Sequence, residues 1–190
     1  MTDAQGSLGE LVALLQERSV RTGSFVLASG RRSDLYVDAR QTTLHARGAA
    51  LVGELVLRQL RPEVAGVGGL TLGADPIASA AAALSHGVLG RPVHAFLIRK
   101  AAKEHGTGQR VEGLGNLTAG DAVCVVEDTT TTGGSLLDAV AAAREVGLRV
   151  VQCLTVVDRE EGAAERLAAE GLTLEALVRR SDLVGSAAPE

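Results

Sequence analysis

Short apolar runs alternating with helical segments predict an α/β domain with a central, mainly parallel sheet flanked by helices on both faces. The runs VAGVGG (64 to 69), VHAFLI (93 to 98), AVCVVE (122 to 127) and VVQCLTVVD (150 to 158) are almost wholly uncharged, as strands covered on both sides must be. Helical spacing fills the intervals between them. No repeat, low-complexity tract or proline-rich linker divides the 190 residues, so a single domain over 1 to 190 is expected.

Taken in order, Leu8, Leu11, Val12 and Leu15 give residues 7 to 19 an apolar stripe at helical spacing. FVLAS (25 to 29) and DLYVD (34 to 38) flank SGRRS and predict a hairpin. Residues 45 to 60 read as helix, as do 76 to 86, where Asp75 and Pro76 mark the start. Residues 99 to 117 are polar, basic and glycine-containing, a loop longer than a compact domain normally carries without a function. Helices over 135 to 146 and 161 to 170 complete the alternation. In such a sheet, ligands bind at the carboxyl ends of the strands.

The formal charge of −4 and pI near 5.6 give no global positive field, so neither nucleic acid nor an acidic membrane surface is an expected partner. Anionic ligands need a local cationic site instead. Cys124 and Cys153 lie inside apolar runs and read as packing residues. The first residues, MTDAQGSLGELVALLQERS, lack the basic start and continuous apolar stretch of a signal peptide, and the alanine-rich stretch near residue 80 reads as a buried helix. A cytoplasmic protein without a membrane span is expected. His45, His86 and His94 lack partners at metal-ligand spacing and read as ordinary histidines.

One compositional fact is sharper. The chain has 19 basic residues, yet its only lysines are Lys100 and Lys103. A bias toward arginine explains the scarcity but not the clustering, and a compact ammonium on a flexible stem acts differently from a planar guanidinium. This window requires lysine.

The strongest motif is VCVVEDTTTTGGS, residues 123 to 135: an apolar strand, two carboxylates, four threonines, two glycines and a serine before a helix. Glycines permit tight turns, hydroxyls donate hydrogen bonds, and a helix N-terminus adds free N–H groups with partial positive charge. That is a cradle for a phosphate monoester. Gly134 rather than lysine precedes Ser135, which disfavours a nucleoside triphosphate P-loop. Glu127 and Asp128 add acceptors for two ribose hydroxyls, so a sugar phosphate satisfies both halves. Simple helix capping needs one hydroxyl, not five.

The segment resembles the phosphoribosyl pyrophosphate signature of the type I phosphoribosyltransferases. The resemblance implies that Glu127 and Asp128 face the ribose, while Thr129, Thr130, Thr131, Thr132, Gly133, Gly134 and Ser135 hold the 5′-phosphate. IRKAAKEHGTGQRVEG (98 to 113) is similar to the catalytic loop of the orotate phosphoribosyltransferases, with the pattern Arg-Lys-x-x-Lys-x-His-Gly. That match assigns Arg99, Lys100, Lys103 and His105 to pyrophosphate and the transition state, on a mobile loop over 99 to 114. In the family this loop reaches the partner subunit, which implies a homodimer with shared sites.

SGRRSDLYVDAR (29 to 40) is similar to the family's hairpin beside the base and puts Tyr36 and Val37 near orotate, and VVDRE (156 to 160) puts Arg159 where the family has an arginine on the orotate ring and carboxylate. GGLTLGADP (68 to 76) corresponds to the pyrophosphate loop, at Thr71, Leu72 and Gly73. The expected fold is the type I phosphoribosyltransferase α/β core with a small hood, mainly 1 to 40 plus C-terminal elements. The substrates implied are phosphoribosyl pyrophosphate and orotate, giving orotidine 5′-monophosphate on the route to UMP, with Mg²⁺ held mainly by substrate and water.

Two positions depart from the pattern. Many members carry lysines where this chain has Ala28 and Gly73, which leaves pyrophosphate more dependent on the loop and on Arg31 or Arg32. The rival readings are a phosphoribosyltransferase for another base, which would not need the basic loop or Arg159, and a non-catalytic phosphoribosyl pyrophosphate sensor. A sensor usually gains a nucleic-acid surface, and the acidic balance counts against it.

Overall fold

A computed structural model of the protein describes residues 4–26, 32–101 and 109–184. Helix α1 (Ala4–Arg18) leads into a two-stranded antiparallel sheet, β1 (Val20–Val26) and β2 (Arg32–Val37). A single turn α2 (Arg40–Thr43) and helix α3 (Ala46–Gln59) follow. The main sheet then begins: β3 (Gly66–Leu70), helix α4 (Asp75–Leu89), β4 (His94–Ile98) and the short β5 (Val111–Glu112). It continues through β6 (Ala122–Thr130), α5 (Gly134–Glu145), β7 (Arg149–Asp158), α6 (Ala163–Ala169), β8 (Leu174–Arg179) and α7 (Arg180–Val184).

The sheet order is β5-β4-β3-β6-β7-β8, and every pair is parallel except the edge pair β4 with β5. Strand β6 shows why these runs are apolar throughout. Cys124 and Val126 face a core built with α1, α3 and α4, while Val123 and Val125 face a second core built with α5 and α6. A period of two therefore feeds both faces. Among the described residues no helix is long and apolar enough to cross a membrane.

The sequence expectations need four adjustments. The hairpin starts at Val20, five residues before the apolar run that signalled it, because this ribbon is largely exposed and needs no continuous apolar strand. The long polar stretch is not loop throughout: Val111–Glu112 pairs along β4, and Leu114–Asn116 forms a 3-10 turn. Strand β6 runs three residues beyond the apolar run 122 to 127, through Asp128, Thr129 and Thr130, so the whole acidic pair and the first two threonines of the cradle sit in the sheet. The elements α2, β8 and α7 were not foreseen; β8 is an edge strand carrying Glu175, and its outer positions need no apolar pattern.

Close packing at β3 depends on glycine. A Cβ at Gly69 would lie 2.1 Å from the Val126 carbonyl oxygen and 2.8 Å from the Ala74 side chain. The backbone of the neighbouring strand and the Ala74 methyl before α4 fill that space, and neither can rotate aside. Gly69→Ala should therefore lower stability by about 1 to 3 kcal/mol, the usual cost of overpacking, as read from urea unfolding. An unchanged midpoint would show that β3 and β6 can separate freely here.

Candidate active site

Parallel register brings four strand ends to one edge. Leu70 lies opposite Ile98, and Thr130 opposite Asp158. The residues that follow these ends are the motifs: Thr71, Leu72 and Gly73 after β3, Arg99 and Lys100 after β4, the acidic pair and cradle at β6, and Arg159 after β7.

The cradle is a cleft of about 160 Å³ lined by Glu127 and residues 129–136. Gly133 adopts φ 76°, a left-handed conformation that side chains rarely take, and a Cβ there would meet Leu167 at 2.8 Å. With glycine at this position, no side chain caps helix α5, and its first N–H groups are left for a ligand. The Oγ1 atoms of Thr129 and Thr130 are buried and have no partner among the described residues. Hydroxyls of this kind and a bare helix start suit the oxygens of one phosphate.

A second cleft of about 230 Å³ lies on the other side of the acidic pair. Thr71, Leu72 and Gly73 line it together with Lys100, Val37 and Asp128. Glu127, Thr129 and Ser135 line both clefts. A third, of about 560 Å³, opens beyond the Thr71 turn and is lined by Arg40, Thr71, Leu72, Arg99, Lys100 and Ala101. Among the described residues that line it are three cations and no carboxylate.

Glu127 is 8% exposed, and one of its oxygens, Oε2, has no partner among the described residues. Burial first and the adjacent Asp128 carboxylate second push its pKa up to about 8, while Lys100 pulls it down. Asp128 accepts the backbone N–H of Thr129 at 2.8 Å. A Cβ at Gly73 would lie 2.6 Å from both carboxylates, so the lack of a side chain there is what lets this turn close against the pair.

The expected base-binding residues are spread more widely. Val37 lines the second cleft, whereas Tyr36 is 41% exposed and tilts against the Phe25 ring at 5.7 Å. Arg159 is buried at 3% exposure, its backbone N–H bonds Thr130 at 2.9 Å, and its guanidinium pairs with Glu161 at 2.8 Å. It does not line any of the three clefts described above. Lys103, His105, Ala28 and Arg31 lie outside the described residues.

Sequence reasoning missed Arg40 and Asp38. Both line the second cleft, and Arg40 also lines the third. Arg40 donates from Nε to Asp38 at 2.9 Å. Burial alone would raise the Asp38 carboxyl, but the bonds from Arg40 and Gln41 outweigh it and hold it below its usual range. Asp38 in turn holds the Arg40 guanidinium above its ordinary value, with Asp128 adding to the effect. The hairpin motif ended on Arg40, but nothing in it marked a turn that would aim the residue at the site.

The phosphoribosyl transferase domain model matches residues 46–179. The orotate phosphoribosyltransferase of Corynebacterium glutamicum (strain R) is 51% identical over 176 residues, covering 92% of each chain. The chain belongs to the orotate phosphoribosyltransferase family. Among solved members, the Mycobacterium tuberculosis H37Rv orotate phosphoribosyltransferase in complex with Fe(III) dicitrate matches with TM-score 0.78 and 45% identity, over 94% of this chain and 99% of that one. The Mycobacterium tuberculosis H37Rv enzyme in complex with 5-phospho-α-D-ribosyl 1-diphosphate matches with TM-score 0.73 and 39% identity, over 93% and 91%. Family membership and the type I fold expected from the motifs therefore hold.

The buried acid gives a pH test. Its folded pKa lies above the ordinary 4.5, so folding favours protonated Glu127. The linked stability is complete below about pH 4.5 and is lost as pH rises toward about 8. Glu127→Gln, which imitates the protonated acid, should raise the Tm of ligand-free protein by several degrees near pH 8 and far less near pH 5. A fall near pH 8 in scanning calorimetry would contradict the raised pKa.

Proposed function

We propose that the protein transfers the 5-phosphoribosyl group of phosphoribosyl pyrophosphate to N1 of orotate, releasing pyrophosphate and forming orotidine 5′-monophosphate for pyrimidine synthesis in the cytoplasm. One observation carries the reading at this site. Two clefts suited to anions flank a single acidic pair, and the substrate is a ribose with a phosphate at one end and a pyrophosphate at the other.

In this reading Glu127 and Asp128 accept hydrogen bonds from the ribose hydroxyls, and residues 129–135 hold the 5′-phosphate. Thr71, Leu72 and Gly73 receive pyrophosphate, with Arg99, Lys100, Lys103 and His105 neutralising the charge that grows on it. Positive charge grows on the ribose at the same time, next to the carboxylates. The protein's contribution is positioning and charge neutralisation. Tyr36, Val37 and Arg159 take the base side. Arg159 must share its guanidinium with Glu161 or exchange that carboxylate for the one on orotate.

The donor set fits Mg²⁺. The ion would be held mainly by substrate oxygens and water, since the adjacent carboxylates of Glu127 and Asp128 fall far short of the six oxygens it prefers. Bound there, it neutralises phosphate charge that would otherwise oppose the acidic pair. A homodimer is part of the same reading: the large apolar side chains of Leu44 and Leu72 are exposed beside the site, and a second subunit would cover them.

Purified protein should consume orotate only with both phosphoribosyl pyrophosphate and Mg²⁺ present, followed by orotate absorbance. Full activity in excess chelator would remove the metal from the mechanism, and preference for uracil or hypoxanthine would move the protein to another branch of the fold family.

Sharing of sites has its own test. Lys103→Ala and Asp128→Asn should each slow turnover by about a hundredfold or more. If each site draws on both subunits, mixing the two inactive variants under subunit exchange should restore activity to about a quarter of wild-type sites. No recovery, with exchange verified by mass, would mean that each chain completes its own site.

A further inference from the structure

We infer that Arg40 is a pyrophosphate-binding residue: it presents its free guanidinium nitrogens to the leaving group in the cleft that it lines together with Lys100. The inference rests on the proposed reaction and adds a residue to it.

The argument begins with the backbone. The turn at Thr71, Leu72 and Gly73 carries no charged side chain, and a Cβ at position 73 would lie 2.6 Å from the carboxylates of Glu127 and Asp128 as they stand. Cationic partners for a polyanion on this turn must come from neighbouring elements. The segment after β4 supplies Arg99 and Lys100. Turn α2 supplies Arg40, which lines the second cleft with Thr71, Gly73 and Lys100 and the third with Thr71, Arg99 and Lys100.

Its chemistry is suited to the task. Among the described residues Arg40 uses only Nε, on Asp38 at 2.9 Å, so both terminal nitrogens remain for a ligand. Its side chain is 45% exposed, and the group is reachable. Asp38 fixes the plane of the guanidinium, and a planar fork so fixed can donate two parallel bonds to one phosphate.

The backbone beneath it is rigid. Ala39 and Thr42 are fully buried, and Thr42 Oγ1 lies 2.7 Å from Ser19 Oγ. The Thr42 carbonyl oxygen occupies the space beside Gly48 so closely that a Cβ there would stand 2.0 Å away. A cation held on such a turn loses little freedom on binding.

The other lining residues weigh against alternative ligands. The third cleft, where Arg40 meets Arg99 and Lys100, has no carboxylate and no aromatic ring among the described residues that line it. That surface suits a compact polyanion better than a planar base.

Calorimetric titration with inorganic pyrophosphate and with phosphoribosyl pyrophosphate, both in Mg²⁺, tests the assignment alongside steady-state kinetics. Arg40→Ala should weaken both ligands and raise the KM for phosphoribosyl pyrophosphate by about ten- to a hundredfold, leaving the KM for orotate and the Tm nearly unchanged. Asp38→Ala removes the tether but keeps the cation, so it should lose part of the pyrophosphate affinity and clearly less than Arg40→Ala does. Equal losses in the two variants would overturn the assignment by making Arg40 a support for Asp38. So would an Arg40→Ala effect confined to orotate, or unaltered pyrophosphate binding while the wild type binds normally. Wild-type protein that binds neither ligand would overturn the proposed reaction and this residue's role together.

Discussion

Glu127 and Asp128 stand next to each other at the end of a strand in the middle of the sheet, where water is scarce and like charges repel. Folding alone gives no reason to keep them there, since burial disfavours a charged carboxylate and the pair raises the cost further. The fold meets that cost by keeping Glu127 largely protonated near neutrality and by letting Asp128 accept the Thr129 N–H. Both are partial remedies. The orphaned Oε2 of Glu127 and the unpartnered hydroxyls of Thr129 and Thr130 amount to a site whose hydrogen bonding is complete only with a ligand in place.

This constraint organises the surrounding charge. The protein is acidic overall, at −4, so it offers no long-range attraction to a substrate with three phosphoryl groups. Attraction has to be local, and the cations that supply it come from separate elements that converge only after folding: Arg40 from α2, and Arg99 and Lys100 from the end of β4. Cations gathered on one side of the acidic pair and a bare helix terminus on the other set a direction across the cleft. A ribose placed between them has its reacting carbon toward the cations, where the leaving group departs.

Much of this was legible in the sequence, and for a physical reason. A strand buried on both faces must be apolar, so β3, β4, β6 and β7 announced themselves, and a phosphate cradle needs its hydroxyls and glycines contiguous in the chain. Residues whose role depends on tertiary approach left no such mark. Arg40 is one arginine among many and stands on a single helical turn too short to show periodicity. Arg159 was marked only by likeness, and its pairing with Glu161 could not be anticipated from composition. The edge strand β8 and the exposed hairpin escaped because a half-exposed strand can carry charge without penalty.

Gly73 shows how a missing side chain and a misplaced charge can be two aspects of one arrangement. Judged as sequence, it is a position that lacks a cation. Judged as structure, it is where the turn comes within contact distance of two carboxylates, and any side chain would force the turn or the acids aside. Close approach has a benefit: backbone N–H groups on a short turn are fixed donors that need no reorganisation when charge develops on the leaving group. The charge itself can then be delivered from a distance by a longer side chain. Arginine suits that division, because its fork can share one carboxylate and one phosphate, and its positive charge does not titrate away near neutral pH. Placing the cation on α2 instead of on the turn separates the two tasks, precise backbone contact and charge neutralisation, that a lysine at position 73 would have to combine.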